Sequence, residues 1–208
     1  MSIIERLALL FTHFPGVGQR QAKRFVYFLL SQDKEFIENL AKEVVDLKKE
    51  VVVCPSCFRF FDKKPSSQAK SLCSICHDEA RETGSLMVVS HPTDLENVEK
   101  SGVFKGKYFV LGGIVPILEK EPGKKIRLQD LRNKIKNLSE KKLIKEIILA
   151  MNFTPEGENT GEFLKKELAP LSQKYSFKIS TLGKGLSSGL ELEYSDSETL
   201  KNALINRS

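Results

Sequence analysis

The sequence predicts an α/β protein with two smaller N-terminal attachments, and three observations carry that expectation. From residue 86 to residue 182, four short apolar runs alternate with helical segments. That order builds a mostly parallel sheet with helices on both faces. Ahead of these runs, all four cysteines of the chain fall in two C-x2-C pairs, Cys54/Cys57 and Cys73/Cys76, with fifteen residues between the pairs. Ahead of the cysteines, two amphipathic helical stretches are joined by Pro15-Gly16-Val17-Gly18. The expected division is a helical hairpin region over 1–53, a four-cysteine module over 54–77, an α/β domain over 78–176 and a short C-terminal strand–helix segment over 177–208.

Bulk properties fit this plan. A chain of 208 residues, 40% hydrophobic and 29% charged, suits one sizeable soluble domain with smaller attachments. Met1 to Arg6 carries charges of both signs and starts no long apolar run, so neither signal peptide nor membrane anchor is expected and the protein is placed in the cytoplasm. The net charge of +6 favours polyanionic partners, although a lysine excess also keeps proteins soluble. Solenoid-length repeats and low-complexity tracts are not visible.

Taking the elements in order, Ile3, Ile4, Leu7, Leu10, Phe11 and Phe14 recur at helical spacing and give one apolar stripe. Pro15 disfavours helix in the residue before it, and Gly16 and Gly18 can take backbone conformations closed to other residues. A second helix follows, with Ala22, Phe25, Val26 and Leu29 inward and Arg20, Lys23 and Arg24 on another face. Helix, Pro-Gly-Val-Gly, helix is the pattern of a helix-hairpin-helix unit. Its glycines let the backbone approach a phosphate, where N–H groups at the second helix's start meet the anion. Gly16, Val17, Gly18, Arg20, Lys23 and Arg24 are therefore the candidate DNA contacts, and such contacts hold phosphate without reading sequence. The competing reading is a tight turn with a solvated basic face. Asp33 N-caps a third helix carrying Phe36, Ile37, Leu40, Ala41, Val44, Leu47 and Val51, which are core or an oligomer interface.

The cysteine spacing is that of a tetrahedral zinc site, because each C-x2-C turn aims two thiolates at one ion. Cys54, Cys57, Cys73 and Cys76 are the expected ligands of one structural Zn²⁺ per chain. Four thiolates leave no position for a catalytic water, and a redox dithiol pair or disulfide framework is the alternative. His77 follows the last cysteine and is read as pointing away from the metal, with Asp62 and Asp78 solvated.

Beyond Cys76, Leu86-Met87-Val88-Val89, Tyr108 to Leu111, Ile147 to Ala150 and Phe177 to Leu182 read as strands. Helices are expected over Asp94–Lys100, Leu128–Leu138 and 160–174. The working edge of such a sheet lies at the strands' carboxyl ends: Ser90-His91-Pro92, Gly112-Gly113 and Asn152 to Gly157. Glu156 and Glu158 sit there, either as active-site acids or as a loop capping a helix that begins near Thr160. Gly183 to Gly189 is glycine-rich without matching a phosphate-binding loop. It leads to an expected strand, Leu190–Tyr194, and helix, Glu198–Asn206. The stretch from Lys120 to Lys145 carries Lys124, Lys125, Arg127, Arg132, Lys134, Lys136, Lys141 and Lys142 interrupted by acidic residues, and reads as a solvated face or a secondary DNA-facing surface.

Pro15 to Gly18, the four cysteines, Val88-Val89 with Pro92 and Asp94, Leu111-Gly112-Gly113, Glu156-Gly157-Glu158 with Thr160, Leu182 to Gly185, and Leu192-Glu193-Tyr194 with Asp196, Thr199-Leu200 and Arg207 occur in one order. Across essentially the whole chain, that order resembles the RecR family of bacterial recombination mediators. The resemblance implies that the α/β part is a Toprim domain serving DNA and partner binding rather than strand cleavage, with no catalytic residue. It also implies a dimer or ring-shaped tetramer around DNA that acts with RecO, and with RecF as a further partner, to load RecA at gaps covered by single-strand-binding protein. The family's Toprim glutamate falls at Ser90, while Asp94 is kept and becomes the candidate contact for RecO. On its own spacing, Asp94 is equally a solvated helix start. Two rivals stand beside this reading. One is a Toprim-type nuclease or primase-like enzyme using Asp94 and Glu156 with Mg²⁺, against which Ser90 argues because a hydroxyl brings no charge to a hard cation. The other is a zinc-dependent assembly module whose basic hairpin meets acidic protein tails.

Overall fold

Helix α1 (Ile3–Phe11) starts at a capping box: the Glu5 amide donates to the Ser2 hydroxyl and the Ser2 amide donates to the Glu5 carboxylate. In the computed structural model, which describes residues 1–63, 72–81, 83–183 and 201, this helix belongs to one of two compact units, Met1–Val52 and Val53–Ser208. It ends at Phe11 and not at Phe14, because Thr12 takes the C-cap and its hydroxyl donates to the Leu9 carbonyl. After the hairpin come α2 (Gln19–Leu30) and α3 (Lys34–Glu50), the latter capped by Asp33, whose carboxylate accepts from the Phe36 amide. Ala8, Ala22 and Val26 form a small core with Ile4, Leu7, Phe11 and Val17 against it. Among the described residues none of helix α3 is fully buried, so its apolar stripe lies outside the small core of this unit. Val51 lies outside that helix: it has extended backbone and opens strand β1 (Val51–Val53).

The second unit begins at the first cysteine pair, followed by β2 (Phe60–Asp62), the short α4 (Ser74–His77) and a single 3₁₀ turn at Glu79–Arg81. The α/β body comprises β3 (Ser85–Val89), α5 (Pro92–Ser101), β4 (Lys107–Val110), α6 (Pro122–Lys125), α7 (Leu128–Glu140), β5 (Glu146–Ala150), α8 (Pro155–Tyr175) and β6 (Lys178–Thr181). The four later strands make one parallel sheet in the order β4-β3-β5-β6, with Val88 opposite both Phe109 and Leu149. Side chains alternate between faces with a period of two. Leu86, Val88, Phe109, Leu111, Ile147 and Leu149 join Leu131 and Ile135 of α7 and Leu164 and Leu168 of α8 in one core. Met87, Val89, Tyr108, Val110 and Ala150 join Leu95 of α5 in the other, and that second core also contains Cys54, Cys57, Cys73 and Ile75. One face of the sheet is thus covered partly by the cysteine module and only partly by helix.

Helix α8 starts at Pro155, five residues before Thr160. The Thr154 hydroxyl accepts from the Gly157 amide, and Pro155 supplies the fixed φ that suits a first helical position. Glu156 and Glu158 therefore lie inside the first turn, where carboxylates favour the positive end of the helix. Apart from helical Lys201, the strand expected over Leu190–Tyr194, the helix over Glu198–Asn206 and Asp196 lie outside the described residues.

Candidate metal centre and nucleic-acid interface

The four cysteines converge. Their sulfurs all lie within 4.8 Å of one another, and Sγ of Cys57 stands 3.6 Å from Sγ of Cys73. Tetrahedral coordination with metal–sulfur bonds of about 2.3 Å would place sulfurs about 3.8 Å apart, so the donor set fits a Zn²⁺-sized ion. Two local turns produce this geometry. In the first, the Cys54 amide donates to the Arg59 carbonyl, the Phe58 amide donates to the Cys54 carbonyl, and Phe58 takes a left-handed φ of 63°. In the second, Cys73 N-caps α4, and the amides of His77 and Asp78 donate to the carbonyls of Cys73 and Ser74. Cys54, Cys57 and Cys73 are fully buried, whereas His77 is exposed and outside the cluster. Asp78 is exposed too, but its carboxylate accepts from the Ala80 amide and faces Arg81 at 3.8 Å. Hydrogen bonding from Cys57 and the other thiols holds Cys54 far below an ordinary thiol, and the same contact with Cys54 pushes Cys57 up. Four such groups cannot all ionise this close together without a cation between them.

The knuckles are tied to the α/β body by backbone and side chains. The Val110 amide donates to the Cys57 carbonyl at 2.8 Å, and Phe58 packs edge-on against Phe109, ring centroids 5.3 Å apart. Arg127 lies over the Phe58 ring at 4.9 Å and donates to the Val110 carbonyl. Lys134 Nζ donates to the Ser56 carbonyl at 2.9 Å and its hydroxyl at 2.7 Å. Lys107 Nζ donates to the carbonyls of Cys76 and Asp78 at 2.9 and 2.8 Å. Burial lowers the Lys134 ammonium from its usual range. Arg132 pairs with Glu167 of α8. Sequence reasoning read Arg127, Arg132 and Lys134 as part of a solvated or DNA-facing stretch, yet all three are spent on internal partners. Their spacing on α7 and its approach carried no signal of this, since a cation on a helix face reads the same whether water or a carbonyl meets it.

In the first unit, Gly16 has φ of 76°, a conformation that favours glycine, and Gly18 N-caps α2 without a side chain. Nothing lies within 4 Å of where a Cβ would stand at either glycine. Val17 is half-buried, its amide bonded to the Phe14 carbonyl, while Arg20, Lys23 and Arg24 are exposed on α2, whose first turn carries no acid. The arrangement can present backbone N–H groups and three cations to an anionic chain.

At the strands' carboxyl ends, Asp94 is engaged locally and Ser90 is buried. Ser90 is fully buried and its hydroxyl lies 3.4 Å from the Met151 sulfur. Asp94 accepts from the His91 amide at 2.9 Å and its carboxylate faces the His91 ring at 3.7 Å, with Pro92 opening α5 between them. Thr160 is a buried bridge: its hydroxyl accepts from the Val115 amide at 2.8 Å and donates to the Glu156 carbonyl. Asp94, Ser90 and Glu156 thus form no set of converging carboxylates, and the four cysteines are the group that could hold a metal among the described residues.

Three family descriptions match successive parts of the chain: "RecR, helix-hairpin-helix" over residues 4–47, "Toprim domain" over 84–182 and "RecR, C-terminal" over 185–208. Proteins named "Recombination protein RecR" align over nearly the full length. The one from Chloroherpeton thalassium is 35% identical across 99% of this chain and 96% of its own. That from Bdellovibrio bacteriovorus is 32% identical across 100% and 97%, and that from Desulfosudis oleivorans 34% across 94% and 91%. Among the described residues no helix is long and apolar enough to cross a membrane.

Proposed function

The chain belongs to the RecR family, and on that premise we propose that it is a non-catalytic DNA-binding mediator of recombinational repair. It acts with RecO, and with RecF as a further partner, to load RecA at single-strand gaps. The observation that carries the reading is the hairpin, where left-handed Gly16 and N-cap Gly18 lead into a helix with Arg20, Lys23 and Arg24 exposed at i, i+3 and i+4. Backbone donors beside cations suit phosphate, and no base-reading device accompanies them. Asp94 offers RecO a carboxylate whose position is set by the His91 amide.

Zn²⁺ is the metal proposed for Cys54, Cys57, Cys73 and Cys76, in a structural role, because four thiolates close the coordination shell. A homo-oligomer is supported by α3, where Leu40, Val44 and Leu47 are 41%, 61% and 59% exposed among the described residues of the chain. A Toprim-type nuclease draws no support from the strand ends, where a neutral, buried Ser90 stands beside an Asp94 engaged as a helix cap.

The test is one incubation of the protein with gapped circular DNA and Mg²⁺ or Mn²⁺, scored for retained complex and for broken strands. Retention without breakage is expected. Breakage abolished by Asp94→Asn or Glu156→Gln would overturn the mediator reading in favour of an enzyme.

A further inference from the structure

Each cysteine pair is gripped by a different lysine of the α/β body. Lys134, on α7, donates to the carbonyl and hydroxyl of Ser56, inside the first C-x2-C turn. Lys107, the first residue of β4, donates to the carbonyl of Cys76 and, two residues on, that of Asp78. Both ammonium groups line a cavity of about 250 Å³ together with Cys76, Arg81 and Lys141. Arg81 is paired with Glu99, so it adds little net charge there.

We propose that Lys107 and Lys134 form a cationic clamp on the metal centre, pinning one knuckle each to the α/β body and cancelling the charge of the loaded site. The clamp rests on the reading of the cysteines as a metal centre. Four thiolates around a divalent ion leave two negative charges, and in a largely buried core an uncompensated charge is costly. Two ammonium groups balance it. Their hydrogen bonds go to main-chain carbonyls and to Ser56 Oγ, leaving every sulfur free for the ion. Each carbonyl thus engaged fixes the turn that aims its thiolates, the orienting role that outer contacts play at metal sites. Lys141 lines the same cavity without a bond to either knuckle, which makes it the control.

The experiment loads full-length protein with Zn²⁺ and follows metal transfer to a chromophoric chelator, with Co²⁺-loaded samples recording the thiolate charge-transfer bands. Lys107→Met and Lys134→Met are each expected to release metal roughly tenfold faster than the unsubstituted protein. Lys134→Arg should lie nearer the unsubstituted rate, and Lys141→Met should match it. Unchanged band positions in Lys107→Met and Lys134→Met would show that the four thiolates still bind. Should Lys134→Met not fold, Lys107→Met decides the matter. Release at the unsubstituted rate by Lys107→Met overturns the clamp, as does equally fast release by Lys141→Met, which would reduce the effect to cavity charge. If the unsubstituted protein takes up no metal, the metal reading itself falls and the clamp with it.

Discussion

The carbonyl of Cys57 accepts the amide of Val110 at 2.8 Å, so a thiolate-bearing turn is bonded directly to the outer edge of β4. Strand β4 is the end strand of the sheet, and exposed strand edges invite pairing with other chains. Val110 has both outward groups occupied, since its carbonyl accepts from Arg127. The cysteine module therefore does more than fold its own loop. It holds a cover over the sheet's edge, with Phe58 packed against Phe109 beside it.

Cys73→Ser should consequently damage the α/β body as well as the module. Cys73 is fully buried in the core shared with Met87, Val89 and Tyr108. Loss of metal at such a position is expected to cost more than about 4 kcal/mol, visible as a fall in melting temperature that chelator reproduces in the unsubstituted protein. Native stability in metal-free Cys73→Ser protein would contradict a structural metal.

Arg20→Ala combined with Arg24→Ala should weaken DNA binding uniformly across sequences. Each lost phosphate contact lowers the slope of log affinity against log salt by about 0.9 on duplex DNA, so the pair should remove about 1 to 2 units. Titrations at several salt concentrations read this directly, and an unaltered slope would remove the hairpin from the interface.

Two glycines of positive φ should respond differently to alanine. Gly16 has φ of 76° and open space where a Cβ would stand, so only backbone strain of about 1 kcal/mol is expected. At Gly112, φ is 85° and a Cβ would fall 2.2 Å from an Arg127 nitrogen. Gly112→Ala must displace Arg127 from Phe58 and should cost about 2 to 3 kcal/mol in urea unfolding. Equal costs at the two sites would contradict the packing of Arg127.

For Asp94, stability and partner binding can be separated. Asp94→Ala removes the acceptor for the His91 amide and should cost about 1 kcal/mol, while Asp94→Asn keeps an acceptor and should stay within about 0.5 kcal/mol. If the carboxylate serves RecO, Asp94→Asn should still weaken that association in a pull-down or titration. Unchanged RecO binding would leave Asp94 as a helix cap alone.

What the sequence determined by itself is what short-range chemistry determines. Two C-x2-C turns bring thiolates together because four residues of a tight turn set the geometry. Gly16 marks the hairpin because its left-handed φ of 76° favours glycine, and Asp33 caps α3 because its carboxylate reaches an amide three residues on. The unbroken apolar run from Leu86 to Val89 likewise announced two buried faces. Tertiary structure alone decided what fills the second face: nothing local shows that Cys54, Cys57 and Cys73 share a core with Met87 and Val89. It alone placed Lys134 on Ser56, 78 residues away in the chain, and Arg127 over Phe58. It also moved the start of α8 from Thr160 to Pro155, freeing Thr160 to bridge to Val115. A lysine or arginine on a helix carries the same local preference whether it faces water or a buried carbonyl. Its role is set by the surface that folding brings against it.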